Sequence, residues 1–321
     1  MDPKGISSTR NARNGMFLSG LAILLGATTP ACVVAKSMDA LVSTPQSVPH
    51  KIQNPKRADA RLAVLWIGHA TTLIQIDDVF ILTDPVFTKS VGGLSARLIE
   101  PGLDAANLPQ VNVALISHLH FDHLSLDTLD MIQHKIDRLY VPKGGFAYLP
   151  DYSFESHELG WWKSVQLGDR PDSLKITAVP VQHNGMRYGI DIAWMKTSYT
   201  GYVIQYHGIT VYYGGDTAFN AKDFSDTSDL FPSIDLAILP IGPIKPRSIM
   251  EAMHEDPPEA LDAMALLHAK TMIPIHFDTF VNSVDEFGDA ARLLDAQVKA
   301  RHLEDKVFRL EIGQQKVVIT K

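Results

Sequence analysis

A run of side chains suited to metal binding, His118-Leu119-His120-Phe121-Asp122-His123, is the feature that most constrains the fold of this chain. The run follows Val111–Ile116, an apolar segment that predicts a buried strand. In α/β proteins, binding sites lie in the crevice beyond the carboxyl ends of strands. Imidazole and carboxylate groups together suit zinc and other first-row metals. The run therefore predicts a metal site at a strand end of an α/β sheet, and the alternative is a histidine-rich polar turn.

Three later residues are further candidate ligands. His183, Asp216 and His276 each come after an apolar segment that predicts a strand. Taken singly, each signal is weak, because a histidine at a strand end more often makes a structural hydrogen bond. Their order after the histidine run is what makes them candidates.

Apolar periodicity predicts a β-rich chain with a few helices. The predicted strands are Leu62–Ile67, Thr72–Ile76, Val79–Asp84, Val111–Ile116, Arg138–Val141, Leu174–Val181, Thr200–Gln205, Thr210–Tyr213, Leu236–Pro240, Met272–Ile275 and a terminal pair within Val307–Ile319. The predicted helices are Leu124–Lys135, Pro258–Ala269 and Val284–Arg301. This order indicates two similar βα halves that pack sheet on sheet.

The candidate ligands resemble the signature of the metallo-β-lactamase superfamily, in which His-x-His-x-Asp-His precedes a strand-end His, a Gly-Asp and a final His. The resemblance extends from about Leu62 to the C-terminus. It implies an α/β fold, the four-layer αβ/βα sandwich in which two packed mixed β-sheets are flanked by helices. It also implies two metal sites: His118, His120 and His183 hold one ion, Asp122, His123 and His276 hold the second, and Asp216 bridges both.

The implied chemistry is hydrolysis by a hydroxide that bridges two divalent ions. Zinc is the expected metal, with manganese or iron as alternatives for five imidazoles and two carboxylates. Asp122 and Asp216 are then expected to take part in catalysis as well as in metal binding. The two ions, two carboxylates and the hydroxide leave one positive charge, which suits an anionic phosphodiester or a developing oxyanion.

Several motifs narrow the resemblance to the branch that contains N-acylphosphatidylethanolamine-hydrolysing phospholipase D. They are Trp66-Ile67-Gly68-His69-Ala70-Thr71, Thr83-Asp84-Pro85-Val86-Phe87, Pro246-Arg247 with His254, and Ile275-His276-Phe277-Asp278-Thr279-Phe280. This branch implies a phosphodiesterase that acts on N-acylphosphatidylethanolamine-like lipids. It also implies that His254 is a catalytic or substrate-positioning residue without being a ligand, and that Arg247 contacts a substrate phosphate. Ordinary surface positions are the alternatives for both residues.

The stretch after His183 departs from this branch, so the substrate stays open. A lactonase or another ester hydrolase of the same fold is the first alternative, and a non-catalytic metal- or lipid-binding lipoprotein is the second. Asp84 is expected to orient a ligand histidine or only to form a turn before Pro85. His69 is expected to be structural or to support the ligands from outside the metal site.

Composition limits the partners of this chain of 321 residues. Its net charge of −7 includes no long basic block, which argues against a nucleic-acid partner. We therefore expect a small-molecule or phospholipid-like substrate, with contact to a membrane surface; the composition predicts no oligomeric state. The single cysteine, Cys32, excludes an intramolecular disulfide.

The N-terminal segment has the order of an export signal, since Arg10 and Arg13 precede the apolar run Met16–Ala27. Thr29-Pro30-Ala31-Cys32 resembles a lipobox, so a lipoprotein signal and an ordinary signal peptide are both open. We expect residues 1–36 to be this signal, 37–60 a linker and 61–321 the hydrolase domain. The protein is then expected to be exported, either periplasmic or membrane-anchored.

Overall fold

The computed structural model describes residues 44–93, 95–191 and 195–321. The predicted signal at 1–36 and the first part of the predicted linker lie outside the described residues, so both stay predictions. Within the described ranges, none of the helices combines the length and apolar character that crossing a membrane requires.

Fifteen strands and five helices form the described part of the chain. The strands are β1 (Ala60–Gly68), β2 (Thr71–Ile76), β3 (Val79–Thr83), β4 (Ser90–Val91), β5 (Ser95–Ala96), β6 (Val111–Leu115), β7 (Ile136–Pro142), β8 (Glu155–Leu159), β9 (Ser164–Leu167), β10 (Leu174–Val179), β11 (Gly201–Tyr206), β12 (Ile209–Tyr213), β13 (Ile234–Pro240), β14 (Ala269–Ile275) and β15 (Gln315–Thr320). The helices are α1 (Leu126–Ile132), α2 (Ala221–Leu230), α3 (Arg247–Met250), α4 (Pro257–Leu266) and α5 (Asp289–Ala300).

Two large sheets contain most of these strands. The first has seven strands in the order β15-β1-β2-β3-β6-β7-β8, and the second has six in the order β14-β13-β12-β11-β10-β9. Both are mixed: β3 pairs in parallel with β6, and β12 with β13, whereas β1–β2 and β10–β11 are antiparallel. This architecture of two large mixed sheets with few helices confirms the predicted fold class.

The alternation of side chains along β1 explains how the layers pack. Leu62, Val64 and Trp66 join a core cluster that also contains second-sheet residues such as Tyr202 and Ile238. Leu65 and Ile67 point the other way, into a cluster with α1. Successive side chains of a strand face opposite sides of the sheet, so β1 is buried on both faces. The two sheets therefore share one core, and helices cover the outer faces.

Most of the predicted strands are confirmed, and the differences have local causes. The predicted terminal pair is wrong: only β15 is a strand, and Val307 makes a single isolated bridge to Met272. The last predicted helix begins later, after Gly288 in a left-handed conformation at φ 81°. The strand β8 and the helix α2 were not predicted, because polar residues dominate their sequences, and β9 was not predicted because it has only 4 residues, half of them polar.

The described part of the predicted linker contacts the domain. Gln46 forms backbone hydrogen bonds with Leu98 and Glu100 on the opposite chain segment. Lys51 also forms ion pairs with Glu100 and Asp104, at 3.0 and 2.9 Å. These contacts hold residues 46–51 against the loop that precedes β6.

Candidate metal centre

All seven predicted ligands meet at one edge of the sandwich, where strands of both sheets end. The histidine run follows β6, whereas His183, Asp216 and His276 follow β10, β12 and β14. The pairing of the second sheet makes β10, β12, β13 and β14 run in the same direction, so their carboxyl ends share an edge. The topology thus collects residues that lie far apart in sequence, as expected beyond the strand ends of an α/β sheet.

One group of donors contains His118, His120 and His183. Nε2 of His118 lies 2.8 Å from Nδ1 of His120, and Nε2 of His183 lies 3.4 Å from the same Nδ1. His120 therefore directs Nδ1 toward the centre of this group, whereas His118 and His183 direct Nε2 toward it. Oδ2 of Asp216 lies 3.9 Å from the Nε2 atoms of both His118 and His183.

The second group contains Asp122, His123 and His276. The Nε2 atoms of His123 and His276 lie 3.2 Å apart, and each lies 3.9 Å from Oδ2 of Asp122. Asp216 also reaches this group, since Oδ2 lies 3.2 Å from His123 and Oδ1 lies 3.1 Å from His276. The carboxylate of Asp216 is thus placed between the two groups.

The outer ring nitrogens of these histidines fix their tautomers. Nδ1 of His183 lies 2.9 Å from the carbonyl of Met253, and Nδ1 of His276 lies 3.0 Å from the carbonyl of Gly242. A carbonyl only accepts hydrogen bonds, so these nitrogens carry the protons and the Nε2 atoms that face inward carry lone pairs.

The other three histidines follow the same rule. Nδ1 of His123 donates to the Asp84 carboxylate at 2.7 Å. Nδ1 of His118 donates to Oγ of Ser117, whose own proton goes to Asp84. Nε2 of His120 donates to Oδ1 of Asn184 at 2.9 Å.

With each ring neutral and in this tautomer, five imidazole lone pairs converge with the Asp216 carboxylate. Oδ1 of Asp216 is buried and has no hydrogen-bond partner in the described part of the chain. Acceptors in close contact repel one another unless a cation lies among them. Neutral imidazole and carboxylate are also the ligands that zinc and its first-row neighbours take. The donor set therefore fits divalent cations.

The pKa shifts of His118, His183 and Asp216 agree with a site for divalent cations. Burial lowers the pKa of His118 well below its usual value, and the neighbouring His123 and His120 rings lower it further. Burial also lowers the pKa of His183. For Asp216, burial alone would raise the pKa, but His123 and His276 hold it well below its usual value. His123 differs, because the carboxylates of Asp216, Asp84 and Asp122 outweigh burial and raise its pKa. A metal cation would take the place of that proton.

His254 lies beside the centre without joining either group. Its Nδ1 is 3.7 Å from Oδ2 of Asp216 and is buried without a hydrogen-bond partner among the described residues. Its ring centroid is 5.1 Å from that of His183. Burial lowers the pKa of His254 to about 4, so the imidazole is neutral at physiological pH. His183, Asp216 and His254 also lie close enough together to hold an ion, which makes a ligand role the alternative for His254.

Arg247 contacts acidic side chains and the His254 backbone in the structure, and its role as a substrate contact stays a prediction. Its guanidinium forms an ion pair with Glu259, and Nε lies 3.6 Å from Asp256. Nη1 donates to the carbonyl of His254 at 2.8 Å. The sequence resemblance predicted that Arg247 contacts the substrate. In the structure its guanidinium is paired with Glu259 and lies near Asp256, the two residues that cap helix α4. The observed contacts place Arg247 behind the segment that carries His254.

Arg187 is a supporting residue that sequence reasoning missed. The side chain is buried, and Nη1 donates to the carbonyls of Leu119 and Leu124 at 2.8 and 2.9 Å. The guanidinium also stacks over the ring of Phe121 at 4.3 Å. Arg187 thereby ties the loop of the histidine run to the chain after His183. An arginine in a stretch without a strand or helix pattern gives no sequence signal of such a role.

Comparisons with known proteins agree with this geometry. The family profile of the beta-lactamase superfamily domain matches residues 80–277. N-acyl-phosphatidylethanolamine-hydrolyzing phospholipase D 1 of Caenorhabditis elegans is 28% identical over 242 residues, which cover 72% of this chain and 67% of that protein. A UPF0173 metal-dependent hydrolase of Exiguobacterium is 27% identical over 227 residues, covering 68% of this chain and 86% of that protein.

A solved structure shows the same fold. Igni18, a metallo hydrolase from Ignicoccus hospitalis, superimposes with a TM-score of 0.59 at 22% identity, covering 79% of this chain and 97% of that one. The profile match spans more than half of the chain and includes all seven predicted ligands. The chain therefore belongs to the beta-lactamase superfamily, and it is a metal-dependent hydrolase of the metallo-β-lactamase fold with candidate metal-binding groups of histidine and aspartate.

Proposed function

We propose that this hydrolase is a dinuclear zinc phosphodiesterase of the phospholipase D type that acts on N-acylphosphatidylethanolamine-like lipids. The observation that carries the proposal is the position of Asp216, whose carboxylate contacts both groups of imidazoles. A carboxylate placed between two such groups would be able to hold a pair of ions together. Two divalent ions would supply Lewis-acid polarisation of the substrate and activation of water.

The ligand assignment follows the two groups of donors. In the proposal, His118, His120 and His183 hold one ion, Asp122, His123 and His276 hold the other, and Asp216 joins them. Zinc is the proposed metal, because imidazole nitrogens dominate the set. Manganese and iron accept the same ligands, so metal analysis of the purified protein decides among them.

The residues around the ions have roles that do not depend on metal identity. The acceptors behind the histidines keep every lone pair directed inward, and the ionised Asp216 and Asp122 balance part of the cationic charge. His254 is neutral and next to Asp216, with 12% of its side chain exposed. We assign it the role of hydrogen-bonding a phosphate oxygen or the leaving group.

Charge and shape support an anionic lipid substrate. Two divalent ions and two carboxylates leave an excess of positive charge, which a phosphodiester balances. A cavity of about 400 Å³ beside His276 is lined by apolar side chains, among them Pro243, Phe277, Phe280 and Phe287, together with polar ones that include Asp278, Asp285 and Glu286. It offers room for an apolar part of the substrate. The relative in Caenorhabditis elegans carries a name for this activity, which supports the proposal.

A substrate panel tests the proposal. Zinc-reconstituted protein is given N-acylphosphatidylethanolamine, an aryl phosphodiester and an acyl-homoserine lactone in parallel. We expect turnover of both phosphodiesters, with the lipid preferred. Turnover of the lactone alone would contradict the phosphodiesterase assignment and support the lactonase alternative. Fewer than two ions per chain in the active protein would contradict the dinuclear mechanism, and a protein inert toward the whole panel would favour the non-catalytic alternative.

We also propose that the protein is exported and meets its lipid substrate at a membrane surface. The sequence order of residues 1–36 supports it. Fractionation of cells that produce the full chain tests it, with Cys32→Ser as the variant. Loss of membrane attachment in Cys32→Ser would favour a lipoprotein signal, unchanged periplasmic release would favour an ordinary signal peptide, and retention in the cytosol would contradict export.

A further inference from the structure

His69 lies in the turn between β1 and β2, and its backbone is fixed from three directions. It is 1% exposed and has a left-handed conformation at φ 55°. Its N–H donates to Oγ1 of Thr279 at 2.7 Å. Its carbonyl accepts from Nε1 of Trp66 at 2.8 Å and from the N–H of His276 at 3.0 Å. The backbone of His69 is therefore joined directly to that of His276, a predicted ligand of the second ion.

The side chain of His69 reaches the other end of the same group. Nε2 lies 3.0 Å from Oδ2 of Asp122. The ring packs on that of His276 with centroids 3.9 Å apart, and its edge meets Phe280. One residue thus contacts both the carboxylate and one imidazole of the second group.

The tautomer of His69 decides whether it is a ligand or a hydrogen-bond donor. Each of the five predicted ligand histidines has its outer nitrogen against an acceptor. For Nδ1 of His69, no acceptor is found among residues 44–93, 95–191 and 195–321. Nε2 instead faces a carboxylate, which only accepts when ionised. This environment favours the proton on Nε2, which makes His69 a hydrogen-bond donor to Asp122. A ligand role is the alternative, because His69, Asp122, His123 and His276 lie close enough together to hold an ion.

From this geometry we infer that His69 is a positioning residue for the second metal ion, orienting Asp122 through Nε2–H and His276 through its carbonyl. The inference rests on the ligand assignment proposed above. Asp122 needs such a partner, because 22% of its side chain is exposed and a free carboxylate at the rim has several rotamers. Loss of a hydrogen bond to a ligand lowers metal affinity by about 10- to 100-fold. We expect the loss to be confined to the second ion, because the hydrogen bonds and ring contacts of His69 reach Asp122, His123 and His276.

Two variants of His69 distinguish loss of its hydrogen bond to Asp122 from loss of the folded structure. His69→Gln keeps an N–H donor near the position of Nε2, whereas His69→Met keeps the volume and removes the donor. His302→Met is the matched control, because His302 is exposed and also has a left-handed conformation at φ 55°. Metal per chain is measured by mass spectrometry against graded free zinc, and the visible spectrum of the cobalt-loaded protein reports the geometry of each site.

We expect two ions in the wild type, in His302→Met and in His69→Gln. In His69→Met we expect the first ion at wild-type affinity and the second about 10- to 100-fold weaker, with an altered cobalt spectrum. Two ions at wild-type affinity in His69→Met would overturn the inference. Fewer than two ions in the wild type would instead contradict the proposed dinuclear function.

A milder variant covers the case in which His69→Met does not fold. Thr279→Val removes the acceptor of the His69 N–H and leaves the imidazole in place. We expect a smaller but selective loss of affinity for the second ion. Equal affinities for both ions in Thr279→Val and the wild type would count against a positioning role.

Discussion

Nδ1 of His123 lies 2.7 Å from Oδ2 of Asp84, a carboxylate that is fully buried behind the histidine run. The hydroxyls of Ser117 and Tyr213 donate to the same oxygen at 2.6 and 2.5 Å. The N–H of Ser117 donates to Oδ1 at 2.7 Å, so four donors hold this carboxylate in one orientation and the imidazole of His123 is held as well. Asp84 thus fixes the orientation of His123, a predicted ligand that the carboxylates of Asp122 and Asp216 also approach.

Asp84→Asn tests this support. The amide keeps the shape of the side chain, but it has no negative charge, and its NH2 group must face either the Ser117 N–H, which donates to Oδ1, or the three groups that contact Oδ2. We expect the affinity for the second ion to fall by about 10- to 100-fold. Metal per chain and thermal unfolding are measured together, with the exposed Asp151→Asn as the control. Full metal content at wild-type affinity in Asp84→Asn would show that Asp84 only forms a turn.

His254→Ala separates a catalytic role from a ligand role. The ring contacts Asp216 and His183 from the side, at 3.7 Å between Nδ1 and Oδ2 and 5.1 Å between ring centroids. We expect kcat to fall by about 100- to 10,000-fold, the range for a lost general acid or hydrogen-bond donor. Metal content should stay at the wild-type value. The exposed His268→Ala is the control, and loss of an ion in His254→Ala would make His254 a ligand.

Arg247 distinguishes indirect positioning from substrate binding. Because its guanidinium contacts Glu259 and the carbonyl of His254, we expect Arg247→Lys to lower kcat roughly 5- to 30-fold, the effect of about 1–2 kcal/mol. Glu259→Gln removes the ion-pair partner of Arg247 and leaves Arg247 itself unchanged, and we expect it to lower kcat as well. Steady-state kinetics on a phosphodiester distinguish positioning of His254 from binding of the substrate. A large rise in KM in Arg247→Lys, with Glu259→Gln unchanged, would restore Arg247 as a phosphate contact.

The sequence predicted which histidines and aspartates meet at the centre, because metal coordination leaves a local pattern. The histidine run is contiguous, and His183, Asp216 and His276 each follow a strand whose apolar residues are themselves a signal. The class of fold was predictable for the same reason, since alternating and continuous apolar segments mark strands that are buried on one or both faces.

The supporting contacts were less predictable, because they are formed between distant segments. Arg187 binds carbonyls more than sixty residues away, and a backbone carbonyl has no sequence identity to detect. The ion pair between Arg247 and Glu259 was not predicted, because the two residues become neighbours only when α4 forms. His69 could be placed near the ligands from its turn, but its partner Asp122 lies 53 residues away.

Glu255, next to His254, gives a prediction about stability and pH. The side chain is completely buried, and neither carboxyl oxygen has a hydrogen-bond partner in the described part of the chain. Burial raises the pKa of this carboxyl well above its usual value of 4.5, and the charges of Glu259 and Asp256 raise it further. The folded protein therefore keeps this proton at a pH where the unfolded chain releases it.

The direction of the pH dependence follows from this difference. As the pH rises above about 4.5, the unfolded chain gains up to about 1.4 kcal/mol per pH unit relative to the folded protein, until the folded carboxyl also ionises. Glu255→Gln removes the titration and keeps the shape. We therefore expect the free energy of unfolding of Glu255→Gln to exceed that of the wild type by an amount that grows from pH 5 to pH 7. Urea denaturation at a fixed zinc concentration measures this difference. The exposed Glu304→Gln should show no such trend, and a difference between Glu255→Gln and wild type that is independent of pH would mean that Glu255 ionises normally in the folded protein.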